Sequence, residues 1–199
     1  QRMVYSGTQI YEESSGTLTS RLSGLESGRM PWFEVMNDLL IWASTSTVDV
    51  PRRWNGTAFA TLGGSPPNFA FMVEHKDRMW AGGVDTNKSR LYYSVLGAPE
   101  DWTGAGSGSI DIAEDDGDVL TAIISHKNQL VIGKGPYTGS IYRVVGSAPT
   151  GADAFTLQEY IRRGVGMVNQ QSVVRWADDL VFPDRFGFHS LNATDAFGD

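Results

Sequence analysis

Short apolar runs separated by glycine and polar turn residues follow one another along most of the chain. Typical runs are residues 32–36 (WFEVM), 69–73 (FAFMV) and 120–124 (LTAII). No window keeps a 3.6-residue apolar period long enough for a helix of ordinary length. Many short strands at regular spacing, with turn residues between them, predict an all-β sandwich, barrel or propeller.

One unit recurs: an apolar strand, a tight polar turn, and a second apolar strand in which a large residue precedes a small one. The predicted turns are Asn37-Asp38, Lys76-Asp77, Lys127-Asn128 and Asp178-Asp179, and the large-small pairs are Trp42-Ala43, Trp80-Ala81, Ile132-Gly133 and Phe182-Pro183. The turns recur every 39 to 51 residues. A period of that length is typical of repeat folds such as propellers.

A third strand of similar appearance follows most copies, at 90–94 (RLYYS), 140–144 (SIYRV) and 187–191 (GFHSL), and 9–12 (QIYE) resembles it without its first half. After the first copy, Asn55-Gly56 predicts a two-residue hairpin turn. Each unit then supplies about four strands, as a propeller blade does. The strands are apolar on both faces, which favours blades packed between two neighbours.

The predicted fold class is therefore all-β, a β-propeller-like array of short antiparallel blades forming an incomplete segment of a larger propeller. The blade boundaries are a partial blade at 1–28 and blades at about 29–65, 66–112, 113–160 and 161–199. The last residues are expected to form a hairpin.

Composition narrows the classes of function. The 199 residues include no cysteine, which excludes a disulfide scaffold, a thiolate zinc site and a cysteine nucleophile. No apolar run approaches the length of a membrane span, so no membrane partner is expected. The formal net charge of −7 opposes adhesion to nucleic-acid phosphates or anionic lipid.

The candidate chemical motifs are weak. If the acidic run 114–118 belonged to a calcium loop, its first ligand would have to come from Ile112, which is apolar. The run is therefore interpreted as a solvated turn, and cation binding is left open. His75 and His126 occupy matching positions before two repeated turns, and no Gly-x-Ser-x-Gly motif supplies a nucleophile. Residues 133–136 (GKGP) resemble a phosphate loop only superficially. We expect no enzyme activity, no catalytic residue, no cofactor and no metal.

Three ordered stretches carry a family resemblance: 48–56, then 78–83 with 90–94 and 97–102, then 110–134 with 140–142. Their order resembles the propeller-bearing tail proteins of double-stranded DNA bacteriophages, including nozzle or hub proteins. The resemblance implies a non-enzymatic virion structural protein of the phage tail. It implies a ring of copies around the DNA exit channel, contacts with adjacent tail or portal-adaptor proteins, and DNA that passes without specific binding.

Two basic pairs are the candidate interface positions. Arg52-Arg53 and Arg162-Arg163 are separated in sequence from the acidic run, and opposite charges kept apart suit head-to-tail contacts between copies. An alternative function is a carbohydrate-binding propeller that recognises a host cell surface, because exposed tryptophans can stack on sugars.

Overall fold

The computed structural model describes residues 2–161 and 164–197. These residues form five antiparallel sheets in which the strands lie side by side in chain order. The sheets are β1 (Arg2–Ser6), β2 (Gln9–Ser14) and β3 (Thr17–Leu22); β4 (Pro31–Met36), β5 (Leu39–Ser44), β6 (Arg52–Trp54) and β7 (Phe59–Thr61); β8 (Phe71–His75), β9 (Arg78–Gly82), β10 (Arg90–Tyr93) and β11 (Gly108–Asp111); β12 (Val119–His126), β13 (Gln129–Gly135), β14 (Ser140–Val145) and β15 (Thr156–Ile161); and β16 (Val174–Trp176), β17 (Asp179–Pro183) and β18 (Phe188–Ser190). A 3₁₀ turn at Gln170–Ser172 precedes β16, and a helix, α1 (Leu191–Phe197), follows β18.

Four apolar cores join the five sheets in succession. The cores contain Ile10 with Trp42 between the first and second sheets, Ile41 with Met72 between the second and third, Trp80 with Ile132 between the third and fourth, and Ile124 with Phe182 between the fourth and fifth. Each interior sheet therefore buries both faces, as a blade does. The prediction of an all-β, propeller-like array of short antiparallel blades is confirmed.

Three of the repeated hairpins have the predicted two-residue turns. Both turn residues have positive φ in each case: Asn37 and Asp38, Lys76 and Asp77, and Lys127 and Asn128. A turn with this handedness matches the right-handed twist of the flanking strands. Asn and Asp adopt it more readily than most residues, since their short polar side chains tolerate positive φ.

The fourth turn lies one residue earlier than predicted. Its residues are Ala177 and Asp178, while Asp179 begins β17 and pairs with Trp176. Asp179 is held in the strand because its carboxylate accepts N–H groups from Leu180 at 2.8 Å and Asn192 at 3.0 Å. The bond from Asn192, 13 residues away, outweighs the local turn preference of Asp179.

A helix replaces the hairpin expected at the end of the chain. Ser190 caps α1, since its hydroxyl oxygen accepts the N–H of Ala193 at 3.2 Å. Leu191 is buried in the core between the fourth and fifth sheets, so the helix is held by packing. Within the described residues no helix is long and apolar enough to cross a membrane.

The Asn55-Gly56 turn is longer than predicted. Residues 55–58 connect β6 to β7, because Trp54 pairs with Phe59. The side-chain oxygen of Asn55 accepts the N–H groups of Thr57 and Ala58, both at 3.0 Å, which gives an Asx turn.

Trp42 and Trp80 lie on equivalent strands but on opposite faces. Trp42 lies four residues after Asp38, whereas Trp80 lies three residues after Asp77. A one-residue offset on a strand turns the side chain to the other face. Accordingly Trp42 packs toward the preceding sheet and Trp80 toward the following one, and both are fully buried as expected.

The first sheet corresponds to the second, third and fourth strands of a blade. Its β2–β3 ladder has an irregularity between Ile10 and Tyr11, and the β14–β15 ladder has the same irregularity between Ile141 and Tyr142. Ile10 and Ile141 are both fully buried. The match makes β1 the counterpart of β13, the second strand of the fourth blade.

Candidate functional site

The inner edge of the array is a groove that carries two carboxylates and one guanidinium. Glu34 on β4, Glu74 on β8 and Arg175 on β16 lie beside apolar side chains of β8 and β12 around a volume of about 400 Å³. Burial raises the pKa of Glu34, the charge of Glu74 raises it further, and Arg175 opposes this. The groove is thus weakly acidic on the side where the first strands of the blades meet.

One carboxylate of the acidic run 114–118, that of Asp116, contacts a cation of the chain itself. The ammonium of Lys134, on β13, is completely buried. It donates to the Asp116 carboxylate at 2.8 Å, the carbonyls of Ile112 at 2.8 Å and Ala113 at 2.7 Å, and the hydroxyl of Ser89 at 3.2 Å. Residues 114–117 are nevertheless exposed, which agrees with the interpretation of this run as a solvated turn, and Asp118 is buried.

Residues 137–139, directly after the segment that resembles a phosphate loop, bind a carboxylate of the chain. Asp118 is buried, and its carboxylate accepts the N–H groups of Tyr137 at 2.6 Å, Thr138 at 3.0 Å and Gly139 at 2.8 Å. Successive backbone N–H groups form an anion-binding concavity. Two charged groups therefore hold the 112–118 loop against the fourth blade: the Lys134 ammonium, which belongs to the blade, and the Asp118 carboxylate, which belongs to the loop.

The matched histidines are interblade contacts. His75 is buried, and its Nδ1 lies 2.8 Å from the hydroxyl oxygen of Ser125 in the next blade. Burial, with a smaller effect of Lys76, lowers the pKa of His75 to about 4. Burial also lowers the pKa of His126. In the described parts of the chain no group of three or more histidine, aspartate or glutamate side chains is placed to hold a metal ion.

The structure describes two of the four arginines that were predicted to lie at an interface. Arg53 Nε lies 2.8 Å from Glu100 Oε1, so it links the second blade to a loop of the third. Arg52 donates to the Thr61 hydroxyl at 3.2 Å. Arg162 and Arg163 lie outside the described residues. A role of these arginines in contacts between copies stays a prediction.

A cleft opens where the second strands of the second and third blades end. Its volume is about 490 Å³, and it lies between the loops at 45–47 and 83–88 and the segment 67–70. Its polar lining includes the amides and hydroxyl of Asn68, Asn87 and Thr86 and the ion pair of Lys88 with Asp85, and Tyr92 contributes an aromatic ring. The cleft cannot be recognised from the sequence because loops far apart in the chain form it.

A large apolar surface on the fifth sheet was also missed. Val174, Trp176 and Phe188 are 53%, 73% and 83% exposed. The positions of Val174 and Phe188 are buried in the third and fourth blades, so a comparison of the repeats could have identified these two residues.

No family model matches the chain, and no curated protein matches it. Among solved structures it is similar to the propeller YCF48 in the structure "YCF48 bound to D1 peptide", with a TM-score of 0.50 and 10% sequence identity. The match covers 87% of this chain and 54% of that one. The chain thus spans about half the length of this neighbour, and the similarity supports a propeller-like fold.

Proposed function

We propose that the chain is a non-enzymatic structural component of a bacteriophage tail, in which copies form the ring of a nozzle or hub through which DNA exits. The proposal rests on the position of the three family-like stretches within the fold. Within 48–145, their distinctive residues are buried parts of the blade scaffold: Trp80 and Trp102 in interblade cores, and Lys134 in its cage of oxygens. Because the residues that carry the resemblance are structural, the resemblance supports a structural function for the chain.

The charge distribution supports passage of DNA without adhesion. The chain carries a net charge of −7, and the inner groove, with Glu34 and Glu74 beside Arg175, is weakly acidic. A duplex that carries a negative charge at every phosphate is repelled by such a surface, so DNA gains little by binding to it.

The proposal is tested on purified particles of the phage or prophage that encodes the chain. Quantitative mass spectrometry should find several copies per particle, and gold-labelled antibody should mark the tail. Host ribosomal protein serves as the control for contamination. Absence of the chain from purified particles, or tight binding of duplex DNA by the purified chain at physiological salt, would overturn the proposal.

The 490 Å³ cleft favours a second candidate function, carbohydrate binding at a host surface. Hydroxyl and amide groups beside an aromatic ring can bind the hydroxyls and the apolar face of a neutral sugar. An array of bacterial polysaccharides should then give specific signals that weaken in Asn87→Ala. A blank array would count against this function.

A further inference from the structure

One oxygen of a buried carboxylate has no partner at the contact between the fourth and fifth blades. The side chain of Asp184, which follows β17, is only 4% exposed. Its Oδ1 accepts the N–H groups of Phe186 at 2.6 Å and Gly187 at 3.0 Å, and Nε2 of His189 lies 2.9 Å from it. Its Oδ2 is buried and has no hydrogen-bond partner among the residues that the structure describes. The carboxylate is therefore satisfied on one oxygen only.

Asp184 lines a small cavity of about 50 Å³. The other walls are residues 135–139, which lead from β13 to β14, and residues 164 and 166–168, which lead to the fifth blade. These walls are rich in glycine and contain Gly135, Gly139, Gly164 and Gly166, so backbone atoms form much of their surface. A cavity of this size accommodates one small ion with little water, and it is too small for an organic ligand.

The loop at 135–139 turns the carbonyl side of its peptide groups away from the fourth blade's own anion. The N–H groups of Tyr137, Thr138 and Gly139 all donate to the Asp118 carboxylate. In a trans peptide group the carbonyl points opposite to the N–H, so the carbonyls of residues 136–138 point away from Asp118. On that side the Thr138 carbonyl accepts the N–H of Gly164 at 3.1 Å, and Gly164 belongs to the cavity wall. Carbonyl oxygens of the loop are therefore directed toward the side where the cavity lies.

The charged side chain that shares the cavity wall with Asp184 is used elsewhere. Arg185 is exposed, and its guanidinium carbon lies 4.6 Å from the centre of the Phe186 ring. The ion pair that the described residues give Asp184 is the one with His189, on the other carboxylate oxygen. A buried carboxylate oxygen without a donor or cation is costly, so the cavity favours a positively charged occupant.

We propose that this cavity binds one hard metal cation, calcium or sodium, through Oδ2 of Asp184 and carbonyl oxygens of the 135–139 loop. Carboxylate and carbonyl oxygens are the ligands that hard cations take, and calcium accepts irregular sets of them. Magnesium fits less well, because it keeps several waters in a strict octahedron. The sequence predicted no metal, since a site of one carboxylate and backbone oxygens has no sequence signature.

The bound cation would join the fourth blade to the fifth. It would contact the β13–β14 loop on its carbonyl side while Asp118 contacts the same loop on its N–H side. Charges of opposite sign on the two sides of the loop both match the direction of its peptide dipoles. We therefore expect cation binding to stabilise the folded chain. The inference goes beyond the proposed function, which concerns particles that contain the chain, so either can fail without the other.

The test measures the melting temperature of chelator-treated protein with and without calcium chloride, against sodium chloride and magnesium chloride at the same ionic strength. A site with a single carboxylate ligand should bind calcium with a dissociation constant of about 0.1–1 mM. At about 10 mM calcium chloride the melting temperature should then rise by about 3–11 °C. Calorimetric titration of the wild-type chain should give one ion per chain, and this measurement needs no variant.

Asp184→Asn should weaken cation binding at least about 10-fold and remove the rise in melting temperature. The amide oxygen can still accept the N–H groups of Phe186 and Gly187, so the turn should form. Asp77→Asn, which removes the same charge from an exposed hairpin turn, should keep the full rise. Asp116→Asn should keep it as well, because Asp116 belongs to the acidic run and not to the cavity.

The two cations are distinguished by the salts. A rise with calcium chloride, or with sodium chloride, that Asp184→Asn removes and Asp77→Asn retains supports the proposal and names the ion. Absence of binding to the wild-type chain, equal rises with all three salts, or a rise that persists in Asp184→Asn would overturn the proposal. A rise that only Asp116→Asn removes would also overturn it, because the cation would then bind the acidic run.

Discussion

Replacement of Lys134 by methionine is the most direct test of how the 112–118 loop is held. Methionine keeps most of the length of the side chain and removes only the ammonium. The carbonyls of Ile112 and Ala113 and the carboxylate of Asp116 would each lose a donor at 2.7–2.8 Å. Since Lys134 is completely buried, water cannot easily replace the lost donor.

The expected loss of stability is about 3–5 kcal/mol. The loss comes mainly from the two carbonyls left without a donor, because the remaining Asp116 carboxylate is partly exposed and is not a buried unpaired charge. Each carbonyl that becomes unsatisfied in a buried place costs about 1–3 kcal/mol by itself, and the terms overlap because Asp116 is partly exposed. For a chain of this size, 1 kcal/mol corresponds to about 2–4 °C, so we expect the melting temperature to fall by about 6–20 °C.

Differential scanning calorimetry measures the change, with Lys88→Met as the matched control. Lys88 forms an exposed ion pair with Asp85 at 3.6 Å, and exposed pairs contribute about 0–1 kcal/mol. A Lys134→Met protein that melts within about 2 °C of the control would refute the reasoning. It would show that the oxygens around Lys134 find other partners at little cost.

Trp80→Ala should lower the free energy of unfolding by about 3–5 kcal/mol, because Trp80 is buried against its neighbours. Phe186→Ala, at an exposed site, should change it by less than about 0.5 kcal/mol. Equal melting temperatures of the two variants would contradict this prediction. The pKa of His75 lies near 4 in the folded chain and near 6.5 in the unfolded one, so the unfolded state binds more protons between these values and stability falls as pH is lowered from 6.5 to 4. A shift of this size corresponds to a loss of about 3 kcal/mol, and urea unfolding of His75→Gln should show a flatter pH profile; an unchanged profile would exclude His75 as the cause. Charge reversal of both Arg162 and Arg163 should impair ring formation in native mass spectrometry while the monomer stays folded, and normal assembly would remove these arginines from the interface.

Local chemistry explains what was predicted correctly. The turns at Asn37-Asp38, Lys76-Asp77 and Lys127-Asn128 are two-residue hairpins because their residues accept positive φ in a short polar turn between apolar strands. The strands are apolar on both faces, which required neighbours on both sides and indicated stacked blades. Where a long-range bond competes with local preference, the prediction was wrong, as at Asp179 and in the helix α1.

The sequence by itself determined the repeat, the strands and the all-β class, because these depend on contacts between residues close together in the chain. Only the tertiary structure decided how the polar groups are used. Lys134 reaches Ile112, 22 residues away, and Asp118 reaches Gly139, 21 residues away. Only the tertiary structure, likewise, left Trp176 exposed on the last sheet while its counterpart His75 is buried. The pattern of apolar residues along a strand predicts on which face of the sheet a residue lies, but the burial of that residue depends on which sheet packs against that face.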